Sequence, residues 1–363
     1  MLLKKVDAVI GSLLARLWPR PTHPGSPPYP VSRLLLIRPG GIGDAVLLVP
    51  VTGCLREIFP SARIEVLAEK RNSGAFALCP EIDRVLCYDR PQELWSALRS
   101  GYDVVIDSEQ WHHLSAIVAR MIRSKIKIGY GTNDRKRLFT QSIDYSHENY
   151  EMDSFFELLK PLEIEPPSTI LSPFLTVPAF DQDSADKILG NLQEKPFVIL
   201  FPGASIPERC WGDEKFHQLA IRLIGEGLAV VVVGGKEDVA TGSAIAEGLS
   251  VLNLTGKTSL CETAGILNRS KLLISGDSGV LHIGVGLGIP TVSLFGPGIA
   301  AKWAPRGKHH IVINHKLPCS PCTRFGTTPP CPIGAKCMQD ISVDEVFAAA
   351  QKLLNLKQEE GAI

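Results

Sequence analysis

Residues 33–59 read RLLLIRPGGIGDAVLLVPVTGCLREIF. An unbroken apolar run of strand length (Leu34–Ile37) passes through a glycine loop into a helical pattern, and such a run suits a strand buried on both faces. Glycines at a strand-to-helix turn let the chain reverse and let a ligand approach the backbone, while the free amides of the helix start favour anions. No Gly-Lys-Ser/Thr follows, so the loop is not a phosphate-binding P-loop. Val46 stands where a dinucleotide fingerprint needs its third glycine. Gly41 and Gly43 shape the loop, and Asp44 sits at the first turn of the helix. A carboxylate there has two readings. It is a cap favoured by the helix dipole, or a base placed to accept a proton from a substrate hydroxyl.

The same texture continues outward. ARIEVLAEK (62–70), DRVLCYD (83–89), YDVVIDSEQWHHLSAIVARMIR (102–123) and KIKIGYG (125–131) alternate strand and helix patterns. The pattern weakens across 160–195 and restarts with FVILFPGAS (197–205), AVVVVGG (229–235), VLNLTG (251–256), KLLISGDSG (271–279) and TVSLFGP (291–297). Alternating β and α with continuous apolar strands predicts parallel sheets covered on both faces. The α/β chain divides into a domain at 31–180 and a second at 181–345, with a C-terminal helix and tail at 346–363. Two such open sheets are expected to face each other across a ligand-binding cleft.

The whole-chain numbers agree. At 363 residues, about two domains are expected. Lys+Arg and Asp+Glu are both 38, for a net charge of zero, with 45% hydrophobic residues. That excludes a disordered polyelectrolyte and argues against a nucleic-acid partner.

The neutral total hides a basic start. Residues 1–18, MLLKKVDAVIGSLLARLW, place Leu2, Leu3, Val6, Val9, Ile10, Leu13, Leu14 and Leu17 on one face of an amphipathic helix. Lys4, Lys5, Arg16, Arg20 and Arg33 against Asp7 give residues 1–33 a net charge of +4. Asp7 interrupts any signal-peptide core, and the run is too short and charged to span a membrane. Such a helix lies on an anionic membrane surface or packs on the protein's own body. A Pro-rich linker (19–30) follows it.

Three further strand-end loops carry polar groups. Ser275-Gly276-Asp277-Ser278-Gly279 opens a helix whose free N–H groups suit a diphosphate, with Ser278 adding a hydroxyl donor. His282 lies within that helix, as a binding group or a packed core histidine. The 201–211 loop offers Ser205, Arg209 and Trp211, and Arg209 has the forked donor geometry that phosphate favours. Glu237, in Gly234-Gly235-Lys236-Glu237-Asp238, can accept hydrogen bonds from a ribose.

Nine cysteines, an odd number, with no cleavable leader expected, point to a reducing compartment and free thiols. Four of them form C-x₂-C-x₈-C-x₅-C at Cys319, Cys322, Cys331 and Cys337. The short loops suit a structural metal, zinc before an iron–sulfur cluster, with free thiols or disulfides as the other reading.

In order, GGIGDAVLLVP (40–50), PGAS (202–205) with RCW (209–211), VVGGKED (232–238), LTGKTSL (254–260), GDSGVLHIGVGLGIPTVSLFGP (276–297) and the closing ISVDEV (341–346) resemble glycosyltransferase family 9, the heptosyltransferase-like enzymes of the lipopolysaccharide core. The resemblance covers residues 33–350 and implies the GT-B fold of two Rossmann-like domains, acceptor on the N-terminal half and nucleotide-sugar on the C-terminal half. It also implies inversion at the anomeric carbon with no metal cofactor for transfer. The proposed base falls on Asp44, and the Asp and His of the D-[ST]-G-x-x-H motif fall on Asp277 and His282. The basic residue two before the tryptophan is commonly Lys and is Arg209 here. Glu237 aligns loosely with a nucleotide-contacting Glu. Similar cysteine clusters occur in many family members.

The function expected is transfer of a sugar, heptose from ADP-heptose first, onto a lipid-linked oligosaccharide of the lipopolysaccharide-core type. It would take place in the cytoplasm, peripherally on the inner face of the cytoplasmic membrane through residues 1–18. The alternatives are another nucleotide-sugar or acceptor on the same scaffold, or a non-catalytic nucleotide-binding protein.

Overall fold

The computed structural model describes residues 7–21, 30–170, 172–324 and 327–360. Leu2, Leu3, Lys4, Lys5 and Val6 of the expected N-terminal helix, and most of the Pro-rich linker, lie outside the described residues. The chain forms two compact units, Met1–Leu171 and Ser172–Ile363.

The first unit holds β1 (Arg33–Arg38), β2 (Arg63–Ala68), β3 (Arg84–Cys87), β4 (Gly101–Asp107), β5 (Arg123–Tyr130) and β6 (Gln141–Ile143). They form one sheet in the order β3-β2-β1-β4-β5-β6, with every pairing parallel. Leu34, Leu35 and Leu36 are fully buried, as a central strand covered on both faces requires. The chain enters through a π-helical turn, Asp7–Gly11, and a helix, Ser12–Leu17. Asp7 receives the backbone N–H groups of His113 and Leu114 at 3.1 and 2.7 Å, which caps the helix His113–Met121.

The second unit repeats the plan. It holds β7 (Phe197–Phe201), β8 (Ala229–Val232), β9 (Val251–Asn253), β10 (Leu272–Gly276), β11 (Thr291–Leu294) and β12 (His310–Ile313), in the all-parallel order β12-β11-β10-β7-β8-β9. Both sheets therefore have the doubly wound strand order, and the two Rossmann-like halves expected from the sequence are present. The short edge strands β6 and β12 are additions to that expectation.

The border also falls earlier than 180/181. The N–H groups of Phe174 and Leu175 both donate to Gly286 O, at 2.8 and 2.9 Å. The helix Ala179–Leu189 packs on Leu260–Arg269, where a side chain at Gly265 would meet Ala185 Cβ at 2.7 Å. These bonds tie residues 172–180 to the second unit.

Candidate active site

In each unit the chain leaves two adjacent central strands in opposite directions, at β1/β4 and at β7/β10. The loops beyond their carboxyl ends diverge there, which is where doubly wound sheets bind ligands. All the glycine loops singled out from the sequence except that of Glu237 fall at these two points.

In the first unit Gly40 has φ +104°, and a Cβ on it would lie 3.1 Å from Arg38 Nη2, so the turn requires glycine. Gly41 is the N-cap of the helix Ile42–Ile58, and Asp44 stands in its first turn with a quarter of its side chain exposed. Asp44 Oδ2 accepts from Arg38 Nη2 at 3.2 Å. Arg38, the last residue of β1, is 2% exposed and donates from Nη1 to Ser108 O at 2.7 Å. Glu109 Oε2 lies 3.8 Å from Arg38 Nη2.

Behind this pair, Arg135 is fully buried, donates to Asp107 Oδ2 at 2.8 Å and reaches Glu109 O. Burial pushes Asp107 up against the pull of Arg135. Burial also acts to raise Glu109, but Arg38, Arg135 and His112 outweigh it and hold that carboxyl below its ordinary range. Arg38 follows the same logic with the sign reversed. Burial disfavours its charge, and Asp44, Glu109 and Glu151 more than restore it. The base candidate is thus seated on a buried alternation of cations and carboxylates.

Sequence reasoning missed Arg38, Asp107, Glu109 and Arg135. The available signal was two acids, Asp107 and Glu109, ending the apolar strand that lies beside β1.

In the second unit Arg209 Nη1 lies 3.0 Å from Asp277 Oδ2, an ion contact off the hydrogen-bonding angle, since Oδ2 gains no hydrogen bond from it. Both side chains are largely buried, at 17% and 9% exposed. The backbone holds them close. A Cβ at Gly276 would meet Arg209 O at 3.2 Å, and one at Gly298 would meet Asp277 Oδ2 at 2.4 Å. Trp211 belongs to the core rather than to a ligand surface. It is 1% exposed and donates from Nε1 to Ile341 O at 3.0 Å, anchoring the loop that carries Arg209.

Ser278 is the N-cap of the helix Gly279–Gly286. Its Oγ accepts from Leu281 N at 3.2 Å and contacts Ser275 Oγ at 2.8 Å. His282 is buried within that helix. Ser205 and Glu237 are exposed. In the loop after β8 it is Asp238 that makes the structural contacts, accepting from Gly235 N at 2.8 Å and lying against Gly203. Arg209, Asp277 and the start of the 279–286 helix are brought together, and Glu237 stands on the next loop.

All nine cysteines are free. Cys331 Sγ accepts from Ala335 N at 3.2 Å, and Cys337 is buried against Gly296. Burial, reinforced by the neighbouring cysteines, pushes the Cys322 and Cys337 thiols up. Among the described residues, no three His, Cys, Asp or Glu side chains are gathered as metal ligands. No helix among them is long and apolar enough to cross a membrane.

Residues 92–331 match the family model of glycosyltransferase family 9 (heptosyltransferase). Lipopolysaccharide heptosyltransferase 3 of Escherichia coli K12 is 26% identical over 343 residues, covering 86% of this chain and 95% of that protein. Among solved structures, the glycosyl transferase family 9 protein of Veillonella parvula superposes with a TM-score of 0.75 at 22% identity, over 91% of this chain and 99% of that one. The E. coli ADP-heptose lps heptosyltransferase II gives 0.74 at 22% identity, over 90% and 99%. The structural likenesses show the two-domain α/β fold of the GT-B class, and the family match shows the activity class. The chain belongs to glycosyltransferase family 9 and is a glycosyltransferase.

Proposed function

We propose that this enzyme transfers heptose from ADP-heptose to a lipid-linked acceptor of the lipopolysaccharide core, at the cytoplasmic face of the membrane and with inversion at the anomeric carbon. The names of the relatives support the donor and acceptor. The observation that carries the reading is Asp44, partly exposed in the first turn beyond β1 and held by a buried arginine.

In this reading an acceptor hydroxyl attacks the anomeric carbon from the face opposite the nucleotide. The new C–O bond forms as the bond to the diphosphate oxygen breaks, and Asp44 takes the hydroxyl proton. Arg209 and the amides at the start of the 279–286 helix hold the diphosphate and its developing charge, so transfer calls on no metal. Asp277 orients Arg209, Gly41 and Gly43 open the acceptor-side loop, and Ser205, Glu237 and His282 contribute to the nucleotide-sugar side.

The cysteine segment stands apart from this chemistry. By donor type a tetrathiolate set fits a structural zinc, which is the role we propose for it, although among the described residues the four thiols are not gathered as ligands. Metal analysis of anaerobically purified protein tests it, and absence of stoichiometric zinc rejects it.

A donor screen with ADP-, GDP- and UDP-sugars, with products identified by mass spectrometry, tests the main reading. Transfer from ADP-heptose is expected. Transfer from another nucleotide-sugar alone rejects the donor while leaving the enzyme class intact.

A further inference from the structure

The N-terminal helix docks by the wrong face for a helix that serves only its own protein. Asp7, Gly11 and Ala15 are buried, and Trp18 is half-buried. A Cβ on Gly11 would lie 2.7 Å from His113 Cβ, so the contact is close and uses small residues. The attachment is firm. Asp7 caps the 113–121 helix, Arg16 Nε and Ser12 Oγ donate to Asp134 at 2.7 and 3.2 Å, and Arg137 donates to Arg16 O at 3.1 Å.

The apolar stripe points the other way. Ile10, Leu13, Leu14 and Leu17 are 49, 55, 38 and 71% exposed, at the spacing of a single helix face. On the helix beneath, Leu114 and Met121, seven residues apart, are exposed as well. A helix packed for the protein's own stability would turn its leucines inward, because that burial is the main source of its stability.

Cations surround this ridge. Arg16, Arg20, Arg120, Lys136 and Arg137 lie on the helix or on the segments bonded to it. Asp7 is engaged as a cap and Asp134 pairs with Arg16, which leaves Arg20, Arg120, Lys136 and Arg137 as the excess positive charge. In a chain of zero net charge, this is a local positive patch around exposed leucines.

We infer that the Ile10–Leu13–Leu14–Leu17 ridge, held rigidly on the first unit by the Asp7 cap, docks this enzyme onto an anionic phospholipid bilayer. The inference deepens the lipid-linked acceptor reading and rests on it. The leucines enter the headgroup–acyl boundary while the arginines meet lipid phosphates. A second copy of the chain is a poorer occupant, because pairing two ridges would bring their arginines together.

The test is co-sedimentation of the full chain with phosphatidylglycerol-containing or pure phosphatidylcholine vesicles, without substrates. The parent should bind anionic vesicles and lose that binding at high salt. The double variant Leu13→Glu/Leu17→Glu should bind at least ~10-fold more weakly, with unchanged thermal stability because both side chains are solvent-facing. Arg20→Glu/Lys136→Glu should weaken binding to anionic vesicles without altering the fold. Equal sedimentation of parent and leucine variant overturns the proposal, and so does equal binding of the parent to neutral vesicles. A parent dimer that the leucine variant splits, with neither form sedimenting, assigns the ridge to self-association and also overturns it. Vesicle binding is read without turnover. An inactive chain that still sediments therefore refutes the transfer reading alone, and an active chain that does not sediment refutes the docking alone.

Discussion

Arg38 Nη2 and Asp44 Oδ2 lie 3.2 Å apart, joining the last residue of β1 to the first turn of the helix that follows it. They stand six positions apart in the chain, and the turn at Gly40 folds them face to face. Arg38 is 2% exposed and Asp44 is partly open to solvent, so the guanidinium forms the floor and the carboxylate the working surface. Arg38 is itself fixed from behind by Ser108 O and by the field of Glu109.

Asp44→Asn should lower kcat by about 10²–10⁴-fold, the usual contribution of a positioned base, while ADP affinity in a calorimetric titration stays near the parent value. The amide keeps the size of the side chain and loses its basicity. Parent-like turnover removes Asp44 as the base.

Arg38→Met should do more damage than its distance from the substrate suggests. It leaves Asp44, Glu109 and Glu151 without their shared buried cation, and breaking a buried ion pair costs about 3–5 kcal/mol. Urea unfolding should show that loss. Arg38→Lys keeps the charge but cannot reach Ser108 O and Asp44 with a planar fork, so it should retain the fold and lose kcat more than KM. If Arg38→Lys turns over like the parent, the fork does not position the base.

Arg209→Ala should weaken ADP binding by roughly 10–100-fold, the range expected for one hydrogen bond to a charged phosphate. Arg209→Lys should recover part of it. Arg209→Ala should also lower thermal stability, because it takes the ion partner at 3.0 Å from the largely buried Asp277, whereas Arg209→Lys keeps that charge, so affinity is compared at a temperature where both variants are folded. Unchanged ADP affinity in the alanine variant excludes a diphosphate contact.

Asp7 supplies a pH-dependent stability increment. Burial acts to raise its pKa, but the imidazoles of His112 and His113, with Nδ1 atoms at 3.4 and 3.5 Å, and the hydrogen bonds from the amides of 113 and 114 outweigh it and hold the group well below the ordinary carboxylate range. A carboxyl with a depressed folded-state pKa stabilises above its unfolded value of about 4 and loses that contribution as pH falls further. Asp7→Asn should therefore be less stable than the parent at pH 7 by ~1 kcal/mol, because the amide keeps one acceptor oxygen and turns its NH2 toward the other backbone N–H. The difference should shrink as urea titrations are repeated from pH 5 down to pH 2. A gap independent of pH would show that the cap does not act through its charge.

The central strands are legible in the sequence because a strand buried on both faces is an unbroken apolar run, as at Leu34–Ile37 and Val230–Val233. The edges are not. Gln141–Ile143 is three residues long and His310–Ile313 is half-buried, so neither carries that run. The glycine loops at the strand ends are legible because their backbone needs are local. Arg38 is not, since Ser108 and Glu109 approach it from some 70 residues away through β1/β4 pairing. Likewise the apolar stripe of the N-terminal helix can be read from spacing. The face that docks cannot, because it is set by Gly11 against His113, about 100 residues on.

Gly298 offers a way to perturb Asp277 without touching it. A Cβ at residue 298 would lie 2.4 Å from Asp277 Oδ2, the terminal atom of that side chain, so the carboxylate must turn away. The other nearby atoms are farther, Asp277 Cγ at 3.3 Å and Phe295 Cδ1 at 3.7 Å, so the backbone need not move. Gly298→Ala should thus keep the fold, at some cost in stability from loosening a largely buried ion contact, and displace the Asp277 carboxylate from Arg209. If Asp277 holds Arg209 for the diphosphate, the variant should lose ADP affinity in the same direction as Arg209→Ala, and the double variant should lose little more than either alone. Additive losses would mean that Asp277 serves the nucleotide independently of Arg209. Unchanged affinity would mean that the 3.0 Å contact between them is only structural.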